Sequence, residues 1–149
     1  MTPDLARILV PTDFSPSSDS AVAFAKKLAD KFGAELHVIH VLEDWPIRES
    51  AAAQKLLDAQ LTADERVTLR AATVLLRGAT AATIVNYAAT HAVDLIVMGT
   101  EGQGAHGFLG RVVDSVVRLG PCPVLTVKEE GNDGSAADLS VGDSASTFV

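Results

Sequence analysis

The run Asp94-Leu-Ile-Val-Met98, followed directly by Gly99-Thr-Glu-Gly-Gln-Gly-Ala-His-Gly-Phe-Leu-Gly110, decides how the rest of the chain is read. Four consecutive apolar residues between an acid and a glycine are expected of a parallel strand buried on both faces. The twelve residues from Gly99 to Gly110 hold five glycines. Glycine takes positive φ freely and lets backbone N–H groups come close to an oxyanion. A helix is then predicted from about Leu109 to Leu119, with Val112, Val113, Val116 and Val117 inward. Its N-terminal partial charge would act at the same corner. Such a unit can cradle a phosphate without many cationic side chains; a connector that uses glycine only for tight turns is the competing reading.

The flanking segments repeat the strand–helix alternation. Arg7-Ile-Leu-Val-Pro-Thr-Asp13 reads as a first buried strand ending in a turn. Ser15-Pro16 reads as N-cap and first helical residue, and Gly33 as the residue closing that helix. Ala21, Ala25, Leu28 and Phe32 share one face of it, and Lys26, Lys27 and Lys31 gather toward its C-terminal end. Leu36 to Leu42 is a second strand, and Glu43 to Glu49, with Trp45-Pro46, a loop. A single helix is predicted from Ser50 to about Arg66, with Leu57 and Leu61 buried. Leu69 to Arg77 is a third strand, less cleanly patterned. A helix then runs from Gly78–Thr80 through His91, with Ile84, Ala88 and His91 a turn apart. Pro123 to Val127 is the last strand. Strands joined by helical crossovers must lie parallel in one sheet with helices on both faces. The expected class is an α/β open sheet of five parallel strands.

With 149 residues and 48% apolar composition the chain is one domain with ample core. Its net charge of −7 is concentrated in the tail: Glu129 to Val149 holds five acids and no Lys or Arg. The first 128 residues carry 12 basic and 14 acidic side chains, a net −2. A domain over 1–128 and an acidic, disordered tail over 129–149 are therefore expected. No broad basic face offers itself to nucleic acid or to an anionic membrane. The lone Cys122 provides neither disulfide framework nor cysteine metal cluster. No apolar run approaches the ~20 residues that span a bilayer, and an acid stands where a secretory signal carries base. The chain reads as soluble and cytoplasmic.

Several motifs are weaker than they look. Gly102-x-Gly104-x-x-Gly107 satisfies the dinucleotide expression but follows the fourth strand, not the first. There is no GxxxxGK[ST]. His37 and His40, three apart on a strand, point to opposite faces and cannot share a metal. His106 in the glycine loop reads as a solvated side chain and His91 as a helix-end partner. Cys122 lacks a base and an orienting acid. A phospho-receiver would need an Asp at the end of the third strand, where Leu75-Leu-Arg-Gly78 has none.

Ile8-Leu-Val-Pro-Thr-Asp-Phe-Ser15, Asp94-Leu-Ile-Val-Met-Gly-Thr100, Gly102 and Pro121-Cys-Pro-Val-Leu-Thr-Val127 occur in an order that resembles the universal stress protein family, over about residues 6–128. The resemblance implies sheet order 3-2-1-4-5, an adenine-nucleotide alpha-hydrolase-like fold, and a homodimer paired through the last strand, Val124–Val127. It implies an adenine nucleotide (AMP, ADP or ATP), with or without Mg2+, and an unidentified protein partner. Pro11, Thr12 and Asp13 would flank base and ribose, Val41 would line the purine slot, and Met98 and Gly99 would approach the ribose. Gly102 and Gly110 would meet the phosphates, and Val112 would offer a backbone N–H. Asp13 reads equally as a turn-forming acid that caps the first helix.

Nucleotide-binding members resemble G-x2-G-x9-G-[ST]. This chain keeps Gly99-x2-Gly102, but its loop is two residues shorter and Gly110-Arg111 stands at the final pair. Arg111 thus replaces a hydroxyl that would meet an outer phosphate; a guanidinium can hold phosphate through two hydrogen bonds instead. Three functions follow in order: a nucleotide-binding stress regulator, a non-binding dimeric adaptor in which Arg111 marks a lost site, and weak ATP hydrolysis with Asp13 as the one evident base. No catalytic residue is assigned.

Overall fold

In the computed structural model, residues 5–43, 47–100, 108–129 and 145–148 are described. Strand β1 (Arg7–Pro11) leads into helix α1 (Pro16–Phe32). Ser15 caps α1, its hydroxyl accepting the Ser18 N–H, with proline at the first helical position. Gly33 ends it at φ 67°, where the left-handed region favours glycine. The inward stripe is Ala21, Val22, Ala25 and Ala29; Phe32, expected on that face, is 54% exposed. Small side chains let the helix lie close on the sheet, and the stripe has drifted past Phe32 by its last turn.

β2 (Glu35–Leu42) follows, then α2 (Ile47–Asp58) and α3 (Ala63–Thr68). The single helix expected from Ser50 to Arg66 is thus two. Thr62 accepts the Glu65 N–H at 3.1 Å while the Glu65 carboxylate accepts the Thr62 N–H at 2.9 Å. This reciprocal cap starts a new helix and ends the old one. Leu57 and Leu61 are buried, as expected. β3 (Ala72–Arg77), α4 (Thr80–Thr90), β4 (Leu95–Gly99), α5 (Phe108–Leu119) and β5 (Val124–Val127) complete the alternation.

The five strands are parallel in the order β3-β2-β1-β4-β5. Their alternating side chains build two cores. Ile8, Val10, Leu36, Val38, Leu95 and Val97 pack against α1 together with Leu57, Leu61 and Leu69. Leu9, Ile39, Val41, Ile96, Met98 and Val124 pack against α4 and α5 through Ile84, Ala88, Val112 and Val116. The result is three layers.

Part of the tail expected to be disordered is a strand, and residues 130–144 lie outside the described residues. Ala145–Phe148 forms β6, antiparallel to β5 and outside it, so the sheet has six strands. The tail's composition predicts no structure, but an apolar edge strand leaves a row of N–H and C=O groups that a short polar strand can satisfy. β5 is accordingly not the edge strand of this structure.

Candidate functional site

In a parallel sheet the crossovers leave the carboxyl ends of the strands open, and here β1 is where the strand order reverses. At the end of β1 the Thr12 N–H bonds the Ile39 carbonyl at 2.8 Å, and the buried Thr12 hydroxyl accepts the Phe14 N–H at 2.9 Å. Phe14 is held at φ 65°, a conformation that costs a non-glycine residue about 1–2 kcal/mol. Asp13 accepts the Ser15 N–H at 3.0 Å and the Ser18 hydroxyl at 2.7 Å. The geometry shows Asp13 as a turn-forming acid that buttresses Ser15 and Ser18, while the cap of α1 is Ser15 itself. Burial, helped by the Asp13 charge, pushes the Asp19 carboxyl in the first turn of α1 above its ordinary value.

β2 supplies the next wall. The Thr12 carbonyl can only accept, so His40 Nδ1, at 2.7 Å, carries the proton. The His40 ring stands 4.5 Å from that of Phe14. At the far side Glu43 bonds both the hydroxyl and the N–H of Thr80, closing β2 onto the first turn of α4. Ala79 gives α4 no side-chain cap, so the Glu43 carboxylate sits at the positive end of that helix.

These elements enclose a cavity of about 290 Å³. Pro11, Thr12, Asp13 and Val41, all predicted site residues, line it. His40, Leu42, Glu43, Glu49, Thr80 and Ile84 complete the lining and were not assigned to the site from sequence. They come from β2, α2 and α4, which only the strand order brings beside β1. Among the described residues, the wall contains three carboxylates and no Lys or Arg.

The other predicted residues lie apart from this cavity. Met98 is fully buried in the core under α4 and α5. Gly99 ends β4 against α1: a Cβ there would stand 2.6 Å from the Ser17 backbone. Gly110 sits in the first turn of α5, with nothing among the described residues within 4 Å of where its Cβ would be. Arg111 is exposed and Val112 buried. In a helix that begins at Phe108 the Val112 N–H is directed at the Phe108 carbonyl, so Val112 is not one of the first-turn donors. Gly102, His106 and Trp45 lie outside the described residues.

Among the described residues, no group of three His, Cys, Asp or Glu side chains is placed to hold a metal ion, and no helix is long and apolar enough to cross a membrane. Burial, reinforced by Asp94, pushes the Cys122 thiol up to about 11, so it is not a thiolate near neutral pH.

Comparison with known proteins follows the same pattern. The model of the Universal stress protein family matches residues 5–128. A universal stress protein of Thermus aquaticus is 39% identical over 133 residues, covering 81% of this chain and 97% of that one. A universal stress protein solved in complex with cAMP has a TM-score of 0.67 at 22% identity, covering 86% of this chain and 100% of its own. One from Archaeoglobus fulgidus, solved in complex with dAMP, has a TM-score of 0.66 at 20% identity, covering 83% and 98%.

Proposed function

The chain belongs to the universal stress protein family, and from that premise we propose that it is a stress-response regulator that binds AMP, ADP or ATP at the carboxyl end of its sheet and acts as a homodimer. The cavity beside Pro11-Thr12-Asp13 carries this reading. Its carboxylates accept hydrogen bonds, which suits the exocyclic amine and ribose hydroxyls of a nucleoside. Because its walls hold no Lys or Arg among the described residues, the phosphates belong elsewhere. They would leave past Gly99 toward Gly102 and the first turn of α5, where orphan N–H groups up to Gly110 suit an anion. Val41 and Pro11 would hold the base, Thr12 and Asp13 the ribose, and Arg111 an outer phosphate. Two fold relatives solved with cAMP and dAMP support a nucleoside monophosphate in this scaffold.

The test is direct. Nucleotide extracted from purified, denatured protein is identified by mass spectrometry, and AMP, ADP, ATP and GMP are titrated calorimetrically. Adenine nucleotides are expected to bind and GMP to bind more weakly. Gly102→Leu should abolish binding while leaving the melting temperature of the free protein unchanged. Full affinity in that variant would displace the phosphates from the loop. An empty protein that binds none of the four would favour the adaptor, the reading to which the exposed Arg111 points.

A further inference from the structure

Every pairing inside the sheet is parallel except the last. β6 runs antiparallel to β5, with Leu125 opposite Phe148, Val127 opposite Ala145 and an irregular register between. A second copy related by a two-fold axis at this edge would also present its β5 antiparallel. β6 therefore occupies the strand position, in the strand direction, that a mate would take. All four residues of β5 are buried, so the edge is an apolar strand whose exposed backbone invites pairing.

We propose that the β5 edge is a pairing surface shared by competition, held by the chain's own β6 in the monomer and by the β5 of a second copy once β6 leaves. The inference rests on the homodimer reading above and adds its regulation. Two features set the balance. Because β6 belongs to the same chain as β5, separated from it by residues 128–144, its return to the edge is intramolecular, whereas a mate must arrive from solution. β6 itself is only four residues long, with an interrupted register, so its hold is weak per encounter. A mate arriving through β5 must displace it, and anything that draws the tail away lowers that barrier.

Self-association of the full chain is measured by sedimentation across protein concentration, beside two variants. One ends at Glu129; the other is full length with Ser146→Pro and Thr147→Pro, which removes the inward N–H whichever residue bears it. Matching circular dichroism spectra establish that all three are folded. Both variants are expected to dimerise at least about tenfold more tightly than the full chain, about 1.4 kcal/mol. Equal dimerisation by all three would overturn the competition and leave the dimer standing. Monomers throughout would overturn both. A full chain that dimerises while the variants do not would show β6 donated to the mate, and would also overturn the competition.

Discussion

The two ends of the sheet are held by different means. At the amino end, side chains do the fastening. Asp94 accepts the N–H groups of Ala6 and Arg7 at 2.8 and 3.0 Å. Arg7 pairs with Glu35 at 3.0 Å and reaches the His91 carbonyl. Glu35 accepts from His37 Nε2 at 2.8 Å, which fixes the proton on that nitrogen and leaves Nδ1 to accept the Tyr87 hydroxyl at 2.7 Å. Tyr87 in turn stacks on His91 at 3.8 Å. At the carboxyl end the main chain shares the fastening, with Gly99 packed close on Ser17 and the Thr12 N–H bonded to the Ile39 carbonyl, while Asp13, His40 and Glu43 make their bonds at the wall of a cavity that they line. At the amino end the polar side chains bond one another across β1, β2 and α4; at the carboxyl end Asp13, His40 and Glu43 bond their neighbours and also face the cavity.

The sharpest way to break this contrast is at Gly99. A methyl group there meets the Ser17 carbonyl carbon and oxygen at 2.6 and 2.7 Å, and neither can rotate away. Gly99→Ala is expected to cost about 1–3 kcal/mol by overpacking, read as a lower urea midpoint, and to weaken nucleotide binding as α1 is pushed from β4. Unchanged stability would mean that α1 does not press on this strand end.

How much of this was legible follows from how local each feature is. The strands were legible because parallel burial writes continuous apolar runs, and α1 because Ser15-Pro16 and Gly33 cap it through their own neighbours. Thr62-x-x-Glu65, a legible cap, was hidden by the alanine- and leucine-rich segment around it. Pro11, Thr12, Asp13 and Val41 reached the cavity wall through a family resemblance. Their neighbours His40, Glu43, Thr80 and Ile84 arrive from segments that meet only in the folded sheet, and no spacing in the chain records that. β6 has no apolar run to announce it; its signal is the unpaired edge of β5.

A smaller effect tests the amino end. Tyr87→Phe leaves His37 Nδ1 without its donor in a half-buried place and should cost about 1 kcal/mol, with nucleotide affinity unchanged because the latch lies at the opposite end of the sheet. The same network is sensitive to acid. Hydrogen bonds from His37 and then Arg7 hold the Glu35 carboxyl below its ordinary 4.5. A carboxyl depressed on folding stabilises fully above its unfolded value and loses that contribution as pH falls through its lower folded value. Urea midpoints should therefore drop below about pH 4.5, and Glu35→Gln should flatten part of that fall while leaving less stability at neutral pH. An acid limb identical in wild type and Glu35→Gln would assign the loss to other carboxyls.

The smallest expected effect has the opposite sign and for that reason separates folding from binding most cleanly. Gly110 lies in the first turn of α5 at no positive φ, and among the described residues no atom within 4 Å would obstruct a Cβ. Among the described residues, nothing requires glycine there. Gly110→Ala should therefore stabilise the free chain by about 0.5 kcal/mol through helix propensity. If the open space over Gly110 exists for a phosphate to approach the main chain, the same methyl group should lower nucleotide affinity about tenfold. Paired thermal melts and calorimetric titrations read both quantities on one sample. A variant more stable and equally tight would move the phosphates off α5 and leave the acidic cavity as a nucleoside pocket alone.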